Sequence, residues 1–330
     1  MLVDRSFVGR VGGTGFLVLL AIAVLCGYFL IAGSHYVAYR VGRRVVVDRG
    51  LYNPYSVAVD SRGNVYVADS RHNRVLKETP SGDGYVQSDV VAGLALSHDI
   101  AADDDGHVTK GKERGKMDRP FGVAVDGSGD LYISDYGNNR VLKETPSGNT
   151  YTQSVLTTDV ESPYGIAVDS HGSVYIADYD RNRVTKESPS GDSYVESLVA
   201  ASGLKGPQGV AVDSRGTVYI ADSGNDRVLK ESVSGTGYVE STLAGNLGDP
   251  RGVAVDDSGN VYIVGCGGGD IYKETFSRGQ YVQTRLGSML SLYFPRGIAV
   301  DRSGSLYIAD SGNDRVVKEL RTQGYAWTAK

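Results

Sequence analysis

Five histidines and two recurring series of aspartates are the residues from which hydrolytic or metal-assisted chemistry would have to be built. One series is Asp60, Asp126, Asp169, Asp213, Asp256 and Asp301; the other is Asp69, Asp135, Asp178, Asp222 and Asp310. A metal centre or a general acid–base pair needs several such groups at one point. The histidines do not gather with them. His35 follows an apolar run, His171 lies in a turn, and His98 and His107 flank an acidic stretch; His72 alone falls close after a second-series aspartate. A carboxylate repeated at regular intervals is most simply a turn acceptor or an ion-pair partner.

The elements that carry these residues are copies of one unit. Its clearest version runs from Pro163 through Val168-Asp169 and Val174-Tyr-Ile-Ala-Asp178 to Arg183-Val-Thr-Lys-Glu187, and the other copies open at Pro54, Pro120, Pro207, Pro250 and Pro295. Successive opening prolines are 66, 43, 44, 43 and 45 residues apart. A period in the low forties with about four short strands per period predicts an all-β, six-bladed β-propeller. In the fourth copy the strands read Gly209–Asp213, Val218–Asp222, Arg227–Glu231 and Tyr238–Ala244. The inner ones are continuous apolar runs, as strands packed on both faces should be, and the outermost alternates. The Lys-Glu pairs, Lys77-Glu78 through Lys318-Glu319, read as solvated blade edges.

Val-Ala-Val-Asp-Ser-x-Gly-x-Val-Tyr-Ile-Ala-Asp and Asp222-Ser-Gly-Asn-Asp-Arg-Val228 resemble NHL repeats, over about residues 44–330. Among NHL proteins the chain resembles the bacterial extracytoplasmic kind, including the sensor domains of mycobacterial receptor serine/threonine kinases. That resemblance implies a six-bladed propeller tethered by one transmembrane helix. No kinase domain accompanies it here, so any signal would pass through a partner.

In the fifth copy the second-series aspartate becomes Gly265 and the third-strand arginine becomes Asp270. Both are lost together, whereas the other copies keep Asp69 with Arg74, Asp135 with Arg140, Asp178 with Arg183, Asp222 with Arg227 and Asp310 with Arg315. That joint loss predicts a structural Asp–Arg pair in each intact blade, with a bidentate arginine fork.

Positions that break the repeat carry the functional expectation. The residue after each opening proline should ring one mouth of the axial channel. It reads Tyr55, Phe121, Tyr164, Gln208, Arg251 and Arg296. The residue after the second-strand aspartate lies on the same face and is Tyr136 and Tyr179 in blades 2 and 3, Ser or Cys elsewhere. Tyr55, Phe121, Tyr136, Tyr164 and Tyr179 therefore gather on one side of one face, with Arg251 and Arg296 on the other. Aromatic rings and arginine suit a protein, peptide or glycan interface.

Residues 94–116 are an insertion between blades 1 and 2. His98, Asp103, Asp105 and His107 within it are candidate ligands for a divalent cation, although Asp103-Asp-Asp-Gly106 lacks a complete calcium-loop spacing. No cofactor is expected. The formal net charge is −5, and the first fifty residues hold six arginines against Asp4 and Asp48, so the propeller is more acidic than the whole. An acidic body disfavours nucleic acid. Cys26 and Cys266 give no disulfide framework.

Val11–Tyr39 contains no Asp, Glu, Lys or Arg, and Phe16–Ala32 is long enough to span a bilayer as a helix. Residues 1–12 are then a short tail, 13–34 a membrane anchor, 35–43 a linker and 44–330 the propeller. The competing reading of 13–34 is a cleavable signal peptide, which would make the protein secreted. The expected protein is a single-pass, extracytoplasmic binding, scaffold or sensor propeller. The alternative is a propeller enzyme, a metal-dependent lyase or lactonase-type hydrolase. Arg40, Arg43, Arg44 and Arg49 beside the apolar run argue for the opposite orientation under the positive-inside rule. Ring closure is expected from residues 44–48, as an outer strand of the sixth blade beside residues 325–329, which places the chain leading to the anchor at the face opposite the aromatic one.

Overall fold

A computed structural model describes residues 36–38, 41–47, 49–91, 100–102, 108–110, 116–265, 269–286, 292–321 and 325–327. Six four-stranded antiparallel sheets are arranged as the blades of a propeller. Their innermost strands are Pro54–Val59, Pro120–Val125, Pro163–Val168, Pro207–Val212, Pro250–Val255 and Pro295–Val300. The expected anchor, residues 13–34, lies outside the described residues, as do His98, Asp103, Asp105 and His107. Among the described residues no helix is long and apolar enough to cross a membrane. Within the insertion, Ile100–Ala102 pairs with Val108–Lys110.

Blades stick to one another through apolar contacts. The second strands, such as Val65–Asp69 and Val218–Asp222, are buried along their whole length. Each core cluster joins adjacent blades; one packs Tyr219 and Val228 of blade 4 against Val253, Val261 and Ile263 of blade 5. Near the axis the first strands approach so closely that side chains are excluded. A Cβ on Gly122, Gly165, Gly209 or Gly252 would lie 2.3–2.5 Å from a carbonyl oxygen of the next blade, which is why glycine recurs two residues after the opening proline.

The first aspartate series forms hairpin turns. Asp60 Oδ1 accepts the Arg62 and Asn64 amides at 2.9 Å, and the same pattern recurs at Asp126, Asp169, Asp213, Asp256 and Asp301. The other carboxylate oxygen takes the hydroxyl of a buried tyrosine, as in Tyr262 to Asp256 at 2.9 Å. Burial pushes the hydroxyls of Tyr66, Tyr132, Tyr175, Tyr219 and Tyr307 well above the ordinary range.

Ring closure uses the N-terminal strand. Val41–Val47 pairs antiparallel with Arg315–Arg321, completing the sixth blade as its fourth strand. Its partner is therefore the third strand, and residues 325–327 pair instead with 36–38. The strand enters at the face opposite the opening prolines and ends beside Pro54, because Val41 sits across from Arg321 and Val47 from Val316.

The Lys-Glu positions differ from the sequence expectation. Lys77, Lys143, Lys186, Lys273 and Lys318 extend over the rings of Tyr66, Tyr132, Tyr175, Tyr262 and Tyr307. The glutamates, however, are buried, Glu78 and Glu144 to within 2% of complete enclosure. Both faces of a third strand pack against neighbouring blades, so alternation cannot leave both residues in water. Gln87, Gln153 and Gln283 donate to Glu78, Glu144 and Glu274 at 2.6–2.8 Å.

Candidate functional site: the aromatic and cationic axial mouth

Around the mouth, the loops that lead into the blades are held by the second aspartate series. Asp222, fully buried, accepts the Lys205 amide on Oδ1 at 2.7 Å and Arg227 Nε on Oδ2 at 2.7 Å. Arg227 Nη2 donates to the Gly203 carbonyl at 3.0 Å. The same hub forms at Asp69–Arg74, Asp135–Arg140, Asp178–Arg183 and Asp310–Arg315, with Nε to Oδ2 distances of 2.6–2.9 Å. The expected bidentate fork is absent: one arginine edge meets the carboxylate and, in blades 1–4, another nitrogen takes a loop carbonyl. Geometry gives the reason. The carboxylate's second oxygen is already holding the loop that leads into the blade.

Two further kinds of bond staple blades to their neighbours, the first in blades 1–4 and 6 and the second in blades 1, 4 and 6. The residue before the hub arginine adopts a left-handed conformation, natural for Asn and Asp, and accepts an amide from the following blade. Asn182 Oδ1 takes the Gly206 amide at 2.7 Å, and Asp314 takes that of Asn53 at 2.7 Å, closing the ring. The second staple is a serine hydroxyl. Ser70 donates to the Pro120 carbonyl at 2.6 Å, Ser223 to that of Pro250 at 2.5 Å and Ser311 to that of Pro54. Blades 2 and 3 carry Tyr136 and Tyr179 at this position, so they give up the serine bond for a ring.

Those rings meet the ones after the opening prolines. Tyr55 stacks on Phe121 (centroids 3.8 Å apart, planes 8° apart), Phe121 on Tyr136 at 4.2 Å, and Tyr164 on Tyr179 at 4.5 Å. Tyr164 also meets Phe121 and Tyr136 edge-on. All five expected aromatics thus join one network, each half-buried. Burial pushes the Tyr55 and Tyr164 hydroxyls up.

Gln208, Arg251 and Arg296 complete the mouth around a cavity of about 80 Å³. Beneath it the channel is aliphatic, lined by Val57, Ile166, Val210 and their equivalents. Arg251 is held by Asp249, with Nε at 2.8 Å and Nη2 at 2.6 Å from one oxygen. Blade 5 makes room for this pair. A Cβ on Gly265 would meet the Arg251 amide nitrogen and the Asp249 carbonyl at 2.7 Å and Arg251 Cγ at 3.1 Å, and its φ is +125°. The hub aspartate is therefore excluded where Arg251 is seated, and the former hub-arginine position, Asp270, bonds Arg285 at 2.6 Å.

Arg296 sits over Tyr55, its Cζ 4.2 Å from the ring centroid, and Nη1 donates to the Tyr55 hydroxyl. Its buried Nε has no partner among the described residues. Desolvation lowers its pKa from the ordinary guanidinium value. Three exposed aromatics on this face escaped the sequence reading: Tyr52, Tyr293 and Phe294, exposed by 45–57%. They occupy the loops just before Pro54 and Pro295, where the signal was their place relative to the proline and not any repetition.

Among the described residues no group of three or more His, Cys, Asp or Glu is arranged to hold a metal ion. His72 Nδ1 lies 2.8 Å from Asp69 Oδ2, within the first blade's hub, and His171 is exposed on the far face.

Fold and mouth together define a six-bladed propeller with a broken sixfold symmetry at one end of its axis. Five segments, residues 51–77, 117–143, 161–186, 204–230 and 292–318, match the NHL repeat, and the chain is an NHL-repeat propeller. The degenerate blade 5 lies outside those matches. Part of the chain is similar to human teneurin-4, 27% identical over 128 residues, or 36% of this chain and 4% of that protein. The chain thus spans a small fraction of the curated relatives it matches. A gluconolactonase from Xanthomonas campestris shares the fold with TM-score 0.61 at 14% identity, over 91% of this chain and 93% of that one. Virginiamycin B lyase from Staphylococcus aureus does so with TM-score 0.56 at 15% identity, over 85% and 99%. A chain of a nidogen/laminin complex does so with TM-score 0.54 at 17% identity, over 78% and 91%.

Proposed function

We propose that this chain is a membrane-tethered, extracytoplasmic binding propeller, a sensor or scaffold that recognises a protein, peptide or envelope glycan through the aromatic and cationic mouth. One observation carries the reading. Where blades 2 and 3 abandon the serine staple, the tyrosines that replace it join a network with Tyr55, Phe121 and Tyr164. Half-buried rings that displace a stabilising bond at a solvent-facing mouth suit recognition. The apolar run at residues 16–32 supports a tether. The strand that follows it enters the propeller from the opposite face, which supports an orientation with the aromatic mouth away from the membrane. The fold serves lyases and gluconolactonases as well as a protein complex, so it does not choose among these roles. The aliphatic throat offers no acid, base or metal ligand to an enzyme reading.

The test is panning of the full chain, held in detergent micelles, against a random peptide library and an array of bacterial envelope glycans. Saturable hits should be lost in Phe121→Ala and in Tyr136→Ala/Tyr179→Ala at nearly unchanged melting temperature. Hits that survive both variants, or a collapse of folding without a binding phenotype, would assign the rings to packing. A reporter fused after Lys330 reads the orientation.

A further inference from the structure

We propose that the mouth is a carboxylate site centred on Arg296, and that its ligand is the free C-terminal carboxylate of a peptide. The inference rests on the reading of this face as the binding surface and narrows it.

The unequal fates of the arginines around the mouth carry it. Arg74, Arg140, Arg183, Arg227, Arg251 and Arg315 each have a carboxylate oxygen within 2.9 Å. Arg296 has none within 4 Å among the described residues. It is half-buried, it spends Nη1 on a phenol, and its Nε is buried without a partner. An unpaired guanidinium donor in a partly desolvated recess favours an anion with planar, charge-assisted acceptors. Arg251 is already neutralised by Asp249. Among the described residues lining the recess one positive charge is therefore left, which matches a monoanion such as carboxylate better than a phosphate dianion.

Ring geometry chooses the source. The recess of about 80 Å³ compares with roughly 10–15 Å³ needed in the same measure to hold one water. It therefore holds several waters and admits a carboxylate, and a ligand that enters by that end leaves its body over the aromatic arc. A saccharide would stack on open ring faces. Here Tyr55, Phe121 and Tyr136, and likewise Tyr164 and Tyr179, spend faces on one another. Edges remain, and with them the Tyr136 and Tyr179 hydroxyls, which suit a peptide's terminal side chain and backbone.

The experiment is fluorescence anisotropy on the full chain in detergent micelles. Its probes are fluorescein-labelled pentapeptides ending in Leu, Phe or Gly, each made as the free acid and as the C-terminal amide. The acids should bind at least tenfold more tightly than the amides, and Arg296→Gln should bring the two together. Should Arg296→Gln fail to fold, Arg296→Lys, which keeps charge but loses the planar fork, should retain part of the preference. Equal binding of acid and amide, no binding of any pentapeptide, or an acid preference unchanged in both Arg296 variants overturns the inference. Oligogalacturonate binding that depends on Arg296, with no peptide binding, overturns the peptide assignment in favour of an acidic glycan. Acid and amide that bind equally yet are both lost in Phe121→Ala leave the binding face standing and sink the carboxylate alone. Acid-selective binding indifferent to Phe121→Ala and to Tyr136→Ala/Tyr179→Ala would instead refute the aromatic face.

Discussion

Blades 4 and 5 are neighbours built from nearly the same sentence of residues, and they differ at one end. Blade 4 has the buried hub: Asp222 gathers Arg227 and the loop amide of Lys205, and Ser223 reaches across to Pro250. Blade 5 has Gly265 in the hub position, and the space goes to Arg251 and Asp249 at the axial mouth. The far ends of the two blades are alike, with Asp213 and Asp256 making the same turns. Between these two blades the hairpin turn is kept and the hub at the mouth is broken. A loss of the hub that seats an arginine at the mouth is what recognition by that face would produce.

Removing a hub carboxylate should have the largest effect on stability. Asp222→Ala leaves the Arg227 guanidinium and the Lys205 amide without their acceptor and should cost about 3 kcal/mol. The matching change in blade 5, Asp249→Ala, should cost well under half of that, because Asp249 is half-exposed and holds only Arg251. Thermal unfolding of the two variants measures the contrast directly, and equal losses would show that blade 5 has a hub of its own. Gly265→Ala comes next. Its Cβ would strike backbone at 2.7 Å in a conformation that L residues rarely adopt, so a loss of about 2 kcal/mol is expected. The same variant should also weaken any ligand that depends on Arg251.

A smaller contrast separates the serine blades from the tyrosine blades. Ser223→Ala removes the bond to the Pro250 carbonyl and should cost about 1 kcal/mol, with binding intact. Tyr136→Ala with Tyr179→Ala should do the reverse, abolishing binding while moving the melting temperature by only about 2 °C. Parallel melting and panning of both variants tests this crossing of effects. If the tyrosine pair destabilised the propeller more than Ser223→Ala, its rings would be core residues.

Much of this was legible in the chain because period is topology. Counting from each opening proline put Tyr55, Phe121 and Tyr164 at the axis, and counting from the second-strand aspartate added Tyr136 and Tyr179; their contacts follow from those places. The paired loss of Asp and Arg in blade 5 also pointed to the ion pair. What period cannot report is whatever depends on volume between neighbours. That Gly265 leaves room for Arg251 is a fact about atoms 2.7 Å apart across a turn. The Lys-Glu pairs read as solvent-facing because two charged residues in a row look like an edge, yet a strand sandwiched between blades buries one of them. Tyr52, Tyr293 and Phe294 sit in loops that do not repeat, so no register drew attention to them.

Those buried glutamates supply the subtlest contrast. Glu78, Glu144 and Glu274 each accept a glutamine donor from the outer strand. In blade 4 the residue across from Glu231 is Glu240, a second carboxylate. Burial, then repulsion by Glu240, push the Glu231 carboxyl up to about 6 from an ordinary 4.5. A buried acid with a raised pKa binds its proton more tightly in the folded chain than in the unfolded one. Its contribution to stability is therefore fully present below about pH 4.5 and is lost as pH rises through about 6. Glu240→Gln would give blade 4 the pairing of blades 1, 2 and 5, replacing repulsion with a donor, and should draw the Glu231 pKa down. The variant should then gain about 2 °C on the parent at pH 7.5, with the gain shrinking toward zero at pH 4.5. The difference between the two melting curves across that range isolates Glu231 from other titrating groups. A difference that is flat with pH would show that Glu240 turns away from Glu231 and that blade 4 solves the burial of its glutamate some other way.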